Sequence, residues 1–165
     1  MGLDINTPKG QISLTQEKIM LNHIEECWGV QIVETNKKDS ALVDGIILKN
    51  NEIVGICENK CRNMTYDTLV NSYGSWLITY SKLEIGQIAS KIFKVPFIGF
   101  LYLVDDDITL FWKITDNEGN FLFEFKTEET PTQATINGGS AIRLNAYLPV
   151  EFSKKVEVRK KKIKK

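Results

Sequence analysis

The sequence predicts an α/β domain, and three observations predict it. A helical apolar repeat comes first, and three strand-like runs follow it within about 45 residues. A second helical pattern then leads into Phe97–Val104, a continuous apolar run of the kind found in strands buried on both faces. The resulting order is helix, three strands, helix, strand.

The first helix is expected from a cap at Ser13 or Thr15, with Glu17 in its first turn. Ile19, Met20, Ile24, Cys27 and Trp28 recur at helical spacing, and Gly29 ends it. Strands are expected over 30–34, 41–48 and 52–60. From residues 63–65 a long helical pattern places Leu69, Tyr73, Trp76, Leu77 and Tyr80 on one face. It breaks near Ser81 and resumes through Ile85, Ile88 and Ile92 until Pro96. Strands over 108–114 and 120–125 come next, separated by turns at 105–107 and 116–119. A polar loop over 128–139 and a strand over 141–150 complete the body, and Val156, Val158 and Ile163 leave room for a short edge strand.

At 165 residues the chain suffices for one domain with a sizeable core. Residues 1–153 read as that single domain and 154–165 as a basic C-terminal tail. No apolar run approaches the ~20 residues that span a membrane, and residues 1–11 lack a signal pattern, so a cytoplasmic location is expected. Three cysteines and one histidine, His23, suggest neither a disulfide framework nor a zinc site. The net charge of zero is uneven. Residues 154–165 carry eight Lys/Arg against Glu157, a net of +7, while residues 1–153 carry 13 basic and 20 acidic side chains, a net of −7. Such a tail suits a polyanion, and such a body suits cations.

Chemistry concentrates in residues 42–60. Asp44 and Glu58 interrupt two apolar strands, and an unpaired buried charge costs several kcal/mol. The two acids are fourteen positions apart. They can share a face of an antiparallel hairpin if Lys49 pairs with Ile53 across a three-residue loop, Asn50-Asn51-Glu52, or if a bulge intervenes. A two-residue Asn-Asn loop alone would send them to opposite faces. Lys60, two residues beyond Glu58, shares its face. Paired carboxylates suit Mg²⁺, with Mn²⁺ as its substitute, together with waters and a substrate phosphate. Asp44 and Glu58 are the expected ligands, and the Asn59 carbonyl is a third. Lys60 is expected to orient or deprotonate the attacking water and to offset transition-state charge. Glu17 is the expected third acid, supplied by the first helix. Arg62, Lys160 and Lys161 are expected to contact nucleic acid. Asp105-Asp106-Asp107 reads as a hairpin turn.

This set resembles the PD-(D/E)XK nuclease superfamily, whose motif is an Asp on one strand and (Asp/Glu)-x-Lys on the next. Val43-Asp44 stands where that family has Pro-Asp, and Glu58-Asn59-Lys60 matches the second half. Gln87 is followed by Lys91, so the Gln-x-x-x-Tyr motif of the RecB-like branch is missing. The resemblance spans roughly residues 13–104. It implies a restriction-endonuclease-like αβββαβ core, a mixed central sheet flanked by helices, with extra C-terminal strands. It also implies a Mg²⁺-dependent deoxyribonuclease in which Asp44 and Glu58 bind metal, Lys60 is the catalytic lysine and Glu17 stands in for the helical glutamate by position. DNA is the expected partner, with RNA left open, and a homodimer would cut both strands of a duplex. The alternative is a catalytically inactive nuclease-fold module that binds nucleic acid or protein.

Overall fold

A computed structural model describes residues 8–35, 42–131 and 142–158. Helix α1 (Pro8–Trp28) precedes strands β1 (Gln31–Glu34), β2 (Gly45–Lys49) and β3 (Glu52–Arg62). A π-helical turn (Thr68–Tyr73) and β4 (Ser75–Thr79) lead into α2 (Tyr80–Phe93). Then follow β5 (Phe97–Leu103), β6 (Ile108–Lys113), β7 (Lys126–Pro131), β8 (Ile142–Pro149) and β9 (Lys154–Lys155). The fold is mixed α/β: a six-stranded mixed sheet, ordered β1-β2-β3-β5-β6-β9, flanked by helices, with a three-stranded sheet β4-β8-β7 beside it.

Strand alternation divides the core into two. Ile56, Leu101, Leu103, Leu110 and Trp112 point to one face, where they meet Leu83 of α2 and Trp76, Ile78, Ala146 and Leu148 of the small sheet. Cys57, Phe100 and Tyr102 point to the other, against Met20, Leu21 and Ile24 of α1. Strands β3 and β5 run parallel, joined by the crossover through β4 and α2. Helix α2 approaches β5 so closely that a Cβ on Gly86 would sit 2.3 Å from the Phe97 ring. Gly86→Ala should therefore lose about 1–3 kcal/mol through overpacking, measured as a lower urea midpoint at unchanged slope. An unchanged midpoint would refute the close contact.

Several sequence expectations are corrected. Helix α1 begins at Pro8, ahead of the expected caps, and Gly29 closes it at φ +64°. The long helix expected from residue 63 is cut short. One π turn closes with Gly74 N–H donating to Leu69 O, and Gly74 takes φ +71°. Trp76-Leu77-Ile78 then alternate buried, exposed, buried as β4, paired to β8 from Ser75↔Pro149 to Thr79↔Asn145. Tyr73 and Leu77 are consequently exposed, not on a core-facing helix. Residues 120–125 form no strand; Phe121 makes a single bridge to Thr115. Part of the expected polar loop is β7, stabilised by pairing with β8. Its remainder, residues 132–139, lies outside the described residues, as do Ala41, Ile163, Lys160 and Lys161. The tail assigned to 154–165 starts inside the sheet, because β9 pairs with β6 and Val156 is buried. Among the described residues no helix is long and apolar enough to cross a membrane.

Candidate active site

Local chemistry at the β2–β3 hairpin decides where Asp44 points. Lys49 pairs with Glu52 across a two-residue Asn50-Asn51 turn, whose residues sit at φ +52° and +64°. Asn accepts this left-handed conformation better than other non-glycine residues. The three-residue loop expected from the sequence is therefore not used. Instead the register shifts between Ile47 and Leu48: Leu48 pairs with Ile53, Ile47 with Gly55, and Val54 is the extra residue of a β-bulge. Beyond the bulge, Gly45 lies opposite Cys57, which brings Asp44 level with Glu58.

Asp44, one residue before β2, is held on three sides. Its N–H donates to Cys57 O at 3.1 Å, and its carbonyl accepts from Thr35 N–H at 3.0 Å and Thr35 Oγ1 at 3.1 Å. Its carboxylate Oδ2 accepts from the Asn59 N–H at 2.8 Å. Glu58 is 2% exposed, and its carboxyl hydrogen-bonds that of Asp44. Burial, followed by the charge of Asp44, pushes Glu58 up to about 7, while Lys82 and then Lys60 pull against that rise. The two acids thus share one face at the end of the sheet where β3 finishes, with exposed Lys60 two residues on.

The other expected residues divide. Asn59 joins the pair through its main-chain amide. Among the described residues its side chain, 5% exposed, finds no N or O partner for Nδ2 or Oδ1 and acts instead on the Cys57 thiol; a poorly satisfied buried polar group costs about 1–3 kcal/mol. Arg62, at the strand's end, is exposed and donates from Nη1 to Cys61 O at 3.1 Å. Glu17 lies on α1, which packs on the face of the sheet where Cys57 points, and its charge raises the buried Cys57 thiol. Among the described residues no three His, Cys, Asp or Glu side chains form a metal-holding group, so Asp44 and Glu58 stand as a pair. Burial with Asp44 and Glu58 nearby drives the Cys57 thiol well up, so Cys57 stays protonated and offers no nucleophile.

The acids at 105–107 have structural work. Asp107 Oδ1 accepts from Tyr102 Oη at 2.6 Å, and Asp106 Oδ2 accepts from the Tyr66 N–H at 2.6 Å. Lys82, in the first turn of α2, was missed by sequence reasoning, yet among the cations acting on Glu58 it has the largest effect. No spacing links it to the strand motif; only the crossover packing of α2 on β3 brings it there.

The chain matches no protein-family model and no curated protein.

Two carboxylates on one rigid hairpin are hard oxygen donors, and Mg²⁺ is commonly held by one or two carboxylates plus waters and substrate phosphate. The residues present fit that ion. They suit zinc less, since zinc sites are built mainly on His and Cys donors with Asp or Glu as additions.

Proposed function

We propose that this chain is a Mg²⁺-dependent nuclease that hydrolyses phosphodiester bonds in DNA. The observation that carries the reading is the contact between the Asp44 and Glu58 carboxyl groups, created by the bulge at Val54 and flanked by Lys60. Retaining an acid at 2% exposure beside a second acid costs stability, and metal binding supplies a reason for it. The order α1-β1-β2-β3-α2-β5, with β4 as an insertion, supports a restriction-endonuclease-like core.

Asp44 and Glu58 would hold the ion, with the Asn59 carbonyl beside them. When bound, Mg²⁺ polarises the phosphate and makes a coordinated water more acidic. Lys60 Nζ, at the solvent side of the pair, orients the attacking water or takes its proton, and its charge offsets that gathering on the phosphorane-like transition state. Asp44 is positioned before substrate arrives, because Thr35, Cys57 and Asn59 already occupy its hydrogen-bonding groups. Two copies would cut the two strands of a duplex.

The test is direct. Supercoiled plasmid, single-stranded DNA and branched DNA are incubated with the protein in Mg²⁺ or Mn²⁺, and in EDTA. Cleavage in metal and none in EDTA is expected. Binding without cleavage of any substrate would leave a nuclease-fold binding module instead.

A further inference from the structure

Helix α2 turns small residues inward and large apolar ones outward. Leu83, Gly86 and Ser90 are its buried positions, and only the first of them carries much apolar bulk. Ser81, Ile85, Ile88 and Ile92 run along the opposite face. Ile88 is 58% exposed and Ile92 69%, with Ile85 half-buried beside them. A surface helix ordinarily does the reverse, with its apolar stripe toward the core and its charged residues toward water. The outer residues follow one another at intervals of four, three and four. That is the heptad seam of a coiled coil, with Ile85 and Ile92 at a and Ser81 and Ile88 at d.

Charge identifies the second helix and its direction. Glu84 and Lys91 are both exposed and both at g, on one flank of the seam and seven positions apart. Seven positions are about 10 Å along the axis, so the two do not reach each other. The loop after β6 holds Lys91 on that flank. A Cβ on Gly119 would come within 2.6 Å of Lys91 Cγ, and Gln87 Nε2 donates to Gly119 O at 2.8 Å. In a parallel pair of helices g faces e, and Glu84 would meet only the partner's Ala89. In an antiparallel pair g faces g. An antiparallel copy therefore sets Glu84 against the partner's Lys91 and, by symmetry, Lys91 against the partner's Glu84. Ile85 and the partner's Ile88 form the central layers, and Ser81 lies opposite the partner's Ile92, small against large. A twofold contact requires one surface to carry both members of every pair, and the outer face of α2 does.

We propose that the outer stripe of α2 pairs antiparallel with the same stripe of a second copy of this chain. The pairing stands on α2 alone; its use, two cuts in one duplex, rests on the nuclease reading. In this register Lys82 lies opposite the partner's Lys91. The two Lys82 residues are then nine helical positions apart, about 14 Å along the axes. Each acts on its own Glu58, so both carboxylate pairs belong to one twofold body, as the twofold relation of two duplex strands requires. A helix of 14 residues is about 21 Å long. A contact of that length is small among specific interfaces, and a Kd on the order of 10 μM is expected.

Sedimentation of the full chain from about 1 to about 200 μM, without DNA or metal, measures the association. A monomer–dimer equilibrium is expected. Ile88→Glu should weaken it roughly 100-fold. Glu84→Lys or Lys91→Glu, each of which sets like charges together twice, should weaken it about 10-fold. An equimolar mixture of those two single variants restores both attractions and should associate about as tightly as the parent. At about 1 μM, where parent and variant are monomeric, the urea midpoint of Ile88→Glu should match the parent's, which separates lost pairing from lost folding. A parent that stays monomeric up to about 200 μM overturns the proposal, whatever vesicle or other protein the stripe then captures. Dimers indifferent to Ile88→Glu overturn it too, because they form through another face. A mixture no tighter than its components overturns the antiparallel register. In Mg²⁺ the parent should convert supercoiled plasmid to the linear form, and Ile88→Glu mainly to the nicked one. If the parent dimerises through Ile88 yet cuts nothing, the nuclease reading fails and the pairing stands.

Discussion

Glu58→Gln should yield a protein that no longer cleaves DNA yet is more stable than the parent at pH 8. On the proposed mechanism the activity half follows from losing one of the two proposed metal-holding carboxylates, an expected drop of at least 10²–10³-fold. The stability half follows from burial. Glu58 is raised from an ordinary 4.5 to about 7 by desolvation and by Asp44. A carboxyl raised in the fold binds more protons folded than unfolded, so its contribution is fully present below about pH 4.5. That contribution is lost as pH climbs to about 7, a change of about 3 kcal/mol from linkage. The glutamine keeps a donor for Asp44 and carries no charge, so this part of the pH dependence should vanish. Urea unfolding at pH 5 and pH 8 measures it: the parent weakens between them and Glu58→Gln weakens less. Mg²⁺ at 100 times its Kd should add about 2.7 kcal/mol to the parent at pH 8 and little to the variant. A variant with parental stability at both pH values would mean that Glu58 is not strained by its surroundings.

That trade between stability and function was partly legible in the chain. Charged residues inside Leu42–Lys60 announced that something must offset their burial, and parity showed that Asp44 and Glu58 meet only if one residue is gained. What parity left open was how it is gained. The sequence admits a longer loop or a bulge, and turn preference chooses, because two adjacent Asn residues tolerate positive φ and close the shorter turn. Val54 then absorbs the extra residue. Trp76-Leu77-Ile78 misled for a different reason. Their spacing from Leu69, Tyr73 and Tyr80 fits a helix, and only pairing with β8, some seventy positions away, makes them a strand. Lys82 and Glu17 are placed on the same principle. Their distance from Glu58 depends on which sheet face each helix covers, and helical periodicity within α1 or α2 carries no information about that. Composition likewise showed the basic tail, and Val156 and Val158 allowed an edge strand near its start, but the pairing of Lys154 and Lys155 depends on β6, some forty-five positions away.

Lys60 and Lys82 both act on Glu58, and they should part company in a pH–rate profile. Lys60→Ala is expected to lower kcat by about 10³-fold at every pH between 6 and 9, since proton transfer and charge stabilisation contribute 10²–10⁴-fold and 10²–10³-fold. Lys60→Arg, which keeps charge but not a transferable proton, should recover part of the electrostatic share only. Lys82 is half-buried on α2, and its charge holds Glu58 down from an even higher value. Lys82→Ala removes that restraint, so Glu58 ionises at higher pH and the acidic limb of kcat/KM moves upward. Near pH 7 the variant should fall well below the parent, and by pH 9, with Glu58 ionised in both, most of the difference should be gone. A Lys82→Ala profile parallel to the parent's at all pH values would show that Lys82 does not govern Glu58. A Lys60→Ala profile that recovers at high pH would make Lys60 a mere counter-charge, and proton transfer would have to be assigned elsewhere.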